Sequence, residues 1–404
     1  MLEHGFSTET VREGSASIIV PKIDRERGEP LDHAISKAPV FYNPIMKLNR
    51  DLAVVALNVH QMRLSKRISA CEPMCGTGVR GVRLALEVPN IDKIVLSDVN
   101  PLAIDLAKKN AQINGLSDRI KVRFIEANLL MALHSNLGGR FDYVDLDPYG
   151  SPVTYIDSAL RSCRNNGMLA LTATDMAPLC GVNPKACIRK YGGLPLRTEY
   201  CHETAVRLLT GVLVRVASRF DVSVTPLFSY AADHYIRIYA KIERGAKKSD
   251  YMLKGIGYIL HCFNCFERRI ETSASLMKGT TCEVCGGDMK ISGPMWIGEL
   301  ADDVFVTDMI NFCETRYPYG ESRIVNLLRL VRDEVNLPPT FFNIDRLCSR
   351  LGMESLAAEN IINALTESNF MAVRTHFDNR GVKTNAPISR MNEILRSMSK
   401  GGKN

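Results

Sequence analysis

An α/β fold built on a largely parallel sheet, followed by a smaller metal-binding segment, is predicted by three features of the sequence. Short β-branched runs alternate with amphipathic stretches from about residue 67, a glycine-rich turn joins the first run to a helix, and two C-x-x-C pairs stand together near residues 262 to 285. Strands that alternate with helices place helices on both faces of a parallel sheet. At 404 residues, 46% of them apolar, the chain is long enough for two cores.

The strand candidates, in order, are RISACEP, KIVLSDV, KVRFIEA, FDYVDLDP and GMLALTATD. One crossover helix is marked at both ends. Asn100 suits an N-cap, Pro101 the first helical position, Leu102, Leu106, Ala107 and Ile113 recur near helical spacing, and Asn114-Gly115 stops the run. A second helix is predicted from Thr198 through Val216. DVSVTPLFSYAAD and HYIRIYAKIE then follow with no room for a helix between them, so they read as an antiparallel pair closing the edge of the sheet. A class I methyltransferase sheet ends this way, whereas a plain dinucleotide-binding sheet usually does not. The polar, strand-breaking RGAKKSD at 244–250 marks the domain boundary. Near the C-terminus, FNIDRLCSRLGM, ESLAAENIINALTESNF and MAVRTHF fit two helices and a strand, a helix-turn-helix or winged arrangement, or equally a set of ordinary packing helices.

Lys plus Arg number 51 against 44 Asp plus Glu, for a formal charge of +7. The excess is local. Residues 185–219 hold seven basic residues (Lys185, Arg189, Lys190, Arg197, Arg207, Arg215, Arg219) against two Glu, and residues 371–404 hold seven against two acids. Such stretches suit a polyanion, although solvated faces look the same. No apolar core of a signal peptide stands in MLEHGFSTETVREG and no run of eighteen apolar residues could cross a bilayer, so a cytoplasmic protein with no membrane partner is expected. Of twelve cysteines only four are regularly paired, the usage of a reducing compartment.

In Cys71-Glu-Pro-Met-Cys-Gly-Thr-Gly-Val-Arg-Gly81, Gly76, Gly78 and Gly81 fit G-x-G-x-x-G, and Asp98 ends the next strand where a carboxylate can accept from ribose hydroxyls. This loop serves NAD, FAD and S-adenosylmethionine alike. Asp147-Pro148-Tyr149-Gly150 follows the fourth strand, beside the switch point where ligands bind. There a carboxylate can accept the protons of a planar amine and Tyr149 can stack on its ring. Alternatively, Asp147 caps a helix starting at Ser151-Pro152. Cys262, Cys265, Cys282 and Cys285 form two knuckles with sixteen residues between them, the pattern of a closed four-thiolate zinc site that staples a fold. His261, next to Cys262, offers a further ligand atom but is expected to take no part.

Together these segments resemble the tRNA guanine-26 dimethyltransferases. The resemblance runs through VREGSASIIVP, FYNPIMKLNRDLAV, CEPMCGTGVRGVR, LSDVNPLAI, DYVDLDPYGSP, TATDMAPLCG, YGGLPLRTEYCHETAVRLL, DHYIRIY, the cysteine knuckles, GPMWIGEL and KTNAP. It implies a class I (Rossmann-like) methyltransferase seven-stranded sheet in a catalytic domain over 1–247, and a C-terminal α+β zinc-binding, tRNA-binding domain over 248–404. It implies S-adenosylmethionine as methyl donor, structural zinc and tRNA as substrate; a monomer is expected. Arg50 and Arg80 match contacts to the methionine part of the cofactor, Asp98 to its ribose, and Glu126-Ala127 to its adenine region, beside the loop glycines Gly76 and Gly78. Asp147 matches the catalytic acid, followed by Pro148, and Phe41 an aromatic facing the target guanine opposite Tyr149. Tyr149 stands where many members carry Phe, and Glu126 where Asp is commoner.

Overall fold

The computed structural model describes residues 6–23, 30–136, 138–272, 279–319 and 322–401. Strands β1 (Thr8–Glu13) and β2 (Ala16–Pro21) form an antiparallel hairpin. Helix α1 (Lys47–Leu64) follows and is buried almost all round, residues 48 to 61 included. The alternation read from the sequence then appears in order: β3 (Ile68–Glu72), α2 (Val79–Glu87), β4 (Ile91–Asp98), α3 (Pro101–Ile113), β5 (Ile120–Phe124), α4 (Ala127–Leu133), β6 (Phe141–Leu146) and β7 (Cys163–Ala173). Helix α3 begins as predicted, with the Asn100 side chain accepting from the Leu102 N–H at 3.0 Å and Pro101 at the first position.

The predicted second helix, α5, spans Cys201–Ser218. It starts three residues later than the periodicity suggests because the Cys201 N–H is held in a turn by the Thr198 carbonyl at 3.3 Å. Strands β8 (Val222–Ala232) and β9 (Tyr235–Arg244) follow with two residues between them, a connection that only antiparallel strands can make.

The seven-stranded sheet has the order β5-β4-β3-β6-β7-β9-β8. The pairs β3–β4, β4–β5, β3–β6 and β6–β7 are parallel. The closing pair is therefore folded back: β8 forms the edge, and β9 slots in beside β7. All six residues of β6 are buried, as expected of a strand covered on both faces. The order reverses between β3 and β6, and the register Ala70↔Tyr143 and Cys71↔Val144 brings their C-terminal ends level. The glycine turn leaves one of these ends and Asp147 follows the other, so strand order alone makes them neighbours.

The chain divides into two compact units. One comprises Met1–Thr172, Tyr239–Glu243 and Asp308–Val325; the other comprises Ala173–Ile238, Arg244–Thr307 and Asn326–Asn404. In the second unit, helix α6 (Ala246–Leu253) precedes a three-stranded sheet, β11-β10-β12, made of β10 (Ile256–His261), β11 (Arg268–Glu271) and β12 (Lys290–Trp296). The C-terminal segment folds as β13 (Phe342–Asn343), α7 (Ile344–Arg350), α8 (Ala358–Glu367), β14 (Ala372–Thr375), β15 (Asp378–Thr384) and α9 (Ile388–Gly401). Its strands pair in the order β13-β15-β14, around a core that includes Ile344, Leu347, Ile361, Leu365, Val382, Met391 and Leu395. Two helices with a β hairpin behind them are the winged arrangement, which the sequence left open against plain packing helices.

Candidate active site

The turn after β3 is shaped by its glycines. Gly76 and Gly78 adopt φ +51° and +74°, where a side chain is strained. A Cβ on Gly76 would lie 2.9 Å from the Phe41 carbonyl oxygen, so the turn is pressed against the segment that carries Phe41. Gly81 serves helix-to-strand packing, since a Cβ there would meet the Leu96 side chain at 2.5 Å. Asp98 pins the turn: its carboxylate accepts from the Gly76 N–H and the Asn100 N–H, each at 2.9 Å. A carboxylate has about four acceptor positions, so both oxygens keep capacity for hydroxyl donors.

Around that turn the strand and helix ends expose apolar side chains that sequence reading passed over. Val99, Phe124 and Leu129 are 63%, 66% and 53% exposed, directly after β4, at the end of β5 and in the first turn of α4. Apolar residues placed immediately beyond strand ends were the available signal. Glu126 caps α4 through its carboxylate, accepting from the Leu129 N–H at 2.9 Å. The side chain is thus committed to its own helix, and buried Ala127 opens the helix behind it.

Arg80 is buried, and its guanidinium gathers the polar groups beneath the turn. Nε donates to Glu72 at 3.2 Å, Nη1 to the Asn49 side chain at 2.8 Å, and Nη2 to Asp147 Oδ2, while Asp145 lies 3.4 Å away. Asp147 therefore does not cap the following turn, which shows no side-chain cap at its N-cap, Pro152. Its Oδ1 has no hydrogen-bond partner among the described residues. Burial drives the Glu72 carboxyl up to about 8, with Asp145 and Asp147 pushing the same way and Arg80 opposing. Glu72, Asn49 and Asp145 were not singled out from sequence.

Arg50 belongs to a neighbouring network. It makes a two-point pair with Glu13, Nε to Oε1 at 2.6 Å and Nη2 to Oε2 at 2.7 Å, and Nη2 also donates to the Asn43 carbonyl. Arg83, fully buried, reaches Glu13, Asp51 and Glu87, and donates to the Tyr317 hydroxyl at 2.7 Å. Burial opposes ionisation of Glu13, but the hydrogen bonds and charges of Arg50 and Arg83 hold its carboxyl down at about 2. Phe41 and Tyr149 are 48% and 87% exposed, aromatic faces available to a ligand; Pro148 is buried between Asp147 and Tyr149.

Residues 14–396 match the family model of N2,N2-dimethylguanosine tRNA methyltransferases. The chain belongs to this family. Among relatives of the dimethyltransferase family, the tRNA (guanine(26)-N(2))-dimethyltransferase of Methanothermobacter thermautotrophicus is 37% identical over 386 residues, covering 96% of this chain and 98% of that protein. An Aquifex aeolicus relative, named a tRNA (guanine(26)-N(2)/guanine(27)-N(2))-dimethyltransferase, is 36% identical over 392 residues, covering 96% and 95%. The solved structure of Trm1 from Pyrococcus horikoshii with S-adenosyl-L-methionine superposes with a TM-score of 0.82 at 35% identity, covering 96% of this chain and 99% of that one.

The cysteine knuckles lie in the second unit. Cys262, Cys265, Cys282 and Cys285 bring their sulfurs within 4.8 Å of one another, with Cys262–Cys285 and Cys265–Cys282 each at 3.4 Å. A tetrahedral zinc with bonds near 2.3 Å needs sulfurs about 3.8 Å apart, so the four thiols fit the ion with a small adjustment. Each knuckle turns in the same way: the Phe266 N–H returns to the Cys262 carbonyl and the Gly286 N–H to the Cys282 carbonyl, both at 2.8 Å. His261 is buried against Tyr200 and Phe263 and is not among the four grouped donors.

The basic stretches divide on inspection. Arg207 is buried and bound to Glu203 and two backbone carbonyls, and Arg215 donates to the carbonyls of Tyr191, Gly192 and Gly211. Lys185, Arg189, Arg197 and Arg219 are exposed. In the C-terminal stretch, Arg374 pairs with Glu359, Arg380 with Asp345, Arg390 with Glu393, and Lys383 is buried on Glu203. Part of the charge counted in the sequence is thus buried, as at Arg207 and Lys383, and part is paired with acids at the surface, as at Arg374, Arg380 and Arg390. No helix among the described residues is long and apolar enough to cross a membrane.

Proposed function

We propose that this chain transfers two methyl groups from S-adenosylmethionine to the 2-amino nitrogen of guanosine 26 in tRNA. The observation that carries the reading is the position of Asp147, at the C-terminal end of β6 level with the glycine turn, gripped through Oδ2 by Arg80 with Oδ1 left over. The cofactor supplies an electrophilic sulfonium methyl. Its ribose is held by Asp98, its adenine lies against Val99, Phe124 and Leu129 near Ala127, and Arg50 and Arg80 stand toward its methionine end.

A guanine amine is a poor nucleophile because its lone pair is delocalised into the ring. Phe41 and Tyr149 stack on the base and fix its plane, and Asp147 Oδ1 accepts an amine proton as the nitrogen attacks. The new N–C bond forms as the S–C bond breaks, the sulfur leaves as a thioether, and the proton passes toward Asp147 and solvent. Repetition on the monomethyl product gives the dimethyl base. The C-terminal winged segment, the zinc-stapled sheet and the exposed bases among residues 185–219 hold the tRNA through its backbone.

The test is methyl transfer from labelled cofactor to a tRNA transcript with guanosine or adenosine at position 26, followed by nucleoside analysis. Dimethylguanosine from the first transcript alone is the expected result, and equal labelling of both removes the assignment. Asp147→Ala should abolish transfer while S-adenosylhomocysteine still binds; retained activity removes the role given to Asp147.

A further inference from the structure

A second cluster of candidate metal-binding side chains lies in the second unit, separate from the four cysteines of the knuckles. Cys180, Cys201 and His202 place two sulfurs and an imidazole nitrogen within 4.8 Å of one another. Cys180 ends the short helix Met176–Leu179, which follows β7, and the other two open the eighteen-residue helix α5. The approach of these segments is fixed by the backbone. Gly181 sits at φ +82°, and a Cβ there would lie 2.8 Å from the Arg197 nitrogen and 2.9 Å from the Leu196 carbonyl carbon, so only glycine lets the Cys180 turn pack on the strand of chain that leads to Cys201. Cys201 also stands at the N-terminal end of α5, where the helix dipole favours thiolate over thiol.

We propose that Cys180, Cys201 and His202 bind a second zinc ion, distinct from the four-thiolate site. Tetrahedral zinc with sulfur and imidazole ligands separates its donors by about 3.5 to 3.8 Å, within reach of this trio by side-chain rotation. Thiolate and imidazole donors select zinc over magnesium or calcium, which take oxygen. Three protein ligands leave one position open to water. Cys201 is half-buried and His202 exposed, so an ion has a path in. Once bound, it ties the turn after β7 to the start of α5.

The experiment uses the full-length chain dialysed against zinc chloride with a non-thiol reductant, its metal content measured by elemental mass spectrometry. About two zinc ions per chain are expected, falling to about one in Cys180→Ser and in His202→Gln. The exposed His202 makes the second variant a test that does not depend on a buried substitution. Cobalt loading provides a further reading: the thiolate-to-cobalt charge-transfer band should lose roughly a third of its intensity in either variant, as six thiolate ligands become four. Equal zinc content in all three proteins, or a Cys180–Cys201 disulfide that persists under the reductant, overturns the site.

Discussion

Arg80 donates to Asp147 from beneath the glycine turn, and the same guanidinium holds Glu72 and Asn49. One buried cation thus faces three carboxylates, Glu72, Asp145 and Asp147. Arg80→Ala leaves those acids without their counter-charge, and removing one member of a buried pair costs about 3–5 kcal/mol. Urea denaturation should show that loss. Arg80→Lys keeps the charge without the planar fork, so most stability should remain while methyl transfer drops about 100-fold through misplacement of the Asp147 carboxylate. Wild-type turnover in Arg80→Lys would show that the fork does not orient Asp147.

Acid should unfold the protein through two specific carboxylates. Glu13 is opposed by burial but held at about 2 by Arg50 and Arg83, and Glu203 likewise by Lys383 and Arg207. Both lie below the ordinary value of 4.5. A depressed folded-state value gives stability that is complete above the unfolded value and lost as pH falls from about 4.5 toward 2, on the order of 3 kcal/mol for each group. Denaturation at pH 6 and pH 3 should show a smaller difference in Glu13→Gln and Glu203→Gln than in the parent. An unchanged difference would mean that other groups govern the acid limb.

The two glycines of the nucleotide turn should fail differently. In Gly76→Ala the new methyl meets the backbone oxygen of Phe41 at a positive φ, and neither can move without moving the turn. In Gly81→Ala it meets side chains alone, the end of Leu96 first and then a Glu72 carboxylate oxygen at 3.3 Å. Calorimetry with S-adenosylhomocysteine should find at least about tenfold weaker binding for Gly76→Ala, whereas Gly81→Ala should keep its affinity and lose about 1–3 kcal/mol of stability. The reverse ranking would contradict the division of labour between them.

How much of this was legible in the sequence depends on chain distance. Asn100-Pro101, the glycine spacing and the paired cysteines are local signals, and α3, the turn and the four-sulfur cluster stand where those signals put them. The partners of Arg50 and Arg80 are not local. Glu13 lies 37 residues from Arg50, and Asp147 lies 67 residues from Arg80; packing of the N-terminal hairpin joins the first pair, and the order of strands in the sheet the second. Sequence reading could name Arg80 and Asp147 separately but could not see that they touch. It also counted basic residues without seeing which ones the fold consumes.

That distinction is itself testable. Lys185 and Arg189 are exposed, whereas Arg207 is buried on Glu203. Replacing both Lys185 and Arg189 with Ala should weaken tRNA binding and lower the slope of log affinity against log salt by up to about two, with thermal stability unchanged. Arg207→Ala should instead lower the melting temperature. A salt slope identical to the parent's in the double variant would remove these two residues from the tRNA-holding surface.

Tyr317 stands 234 positions beyond Arg83 yet shares a hydrogen bond with it, and its hydroxyl also donates to Asp51 at 3.2 Å. The segment Asp308–Val325 is therefore part of the same compact body as the glycine turn. Ribosomal synthesis must proceed past this late stretch before the unit that holds the glycine turn can finish assembling. A nascent chain stalled earlier would expose an arginine and an aspartate still waiting for their phenol, and premature stop codons well downstream of Asp147 should be as damaging as those before it.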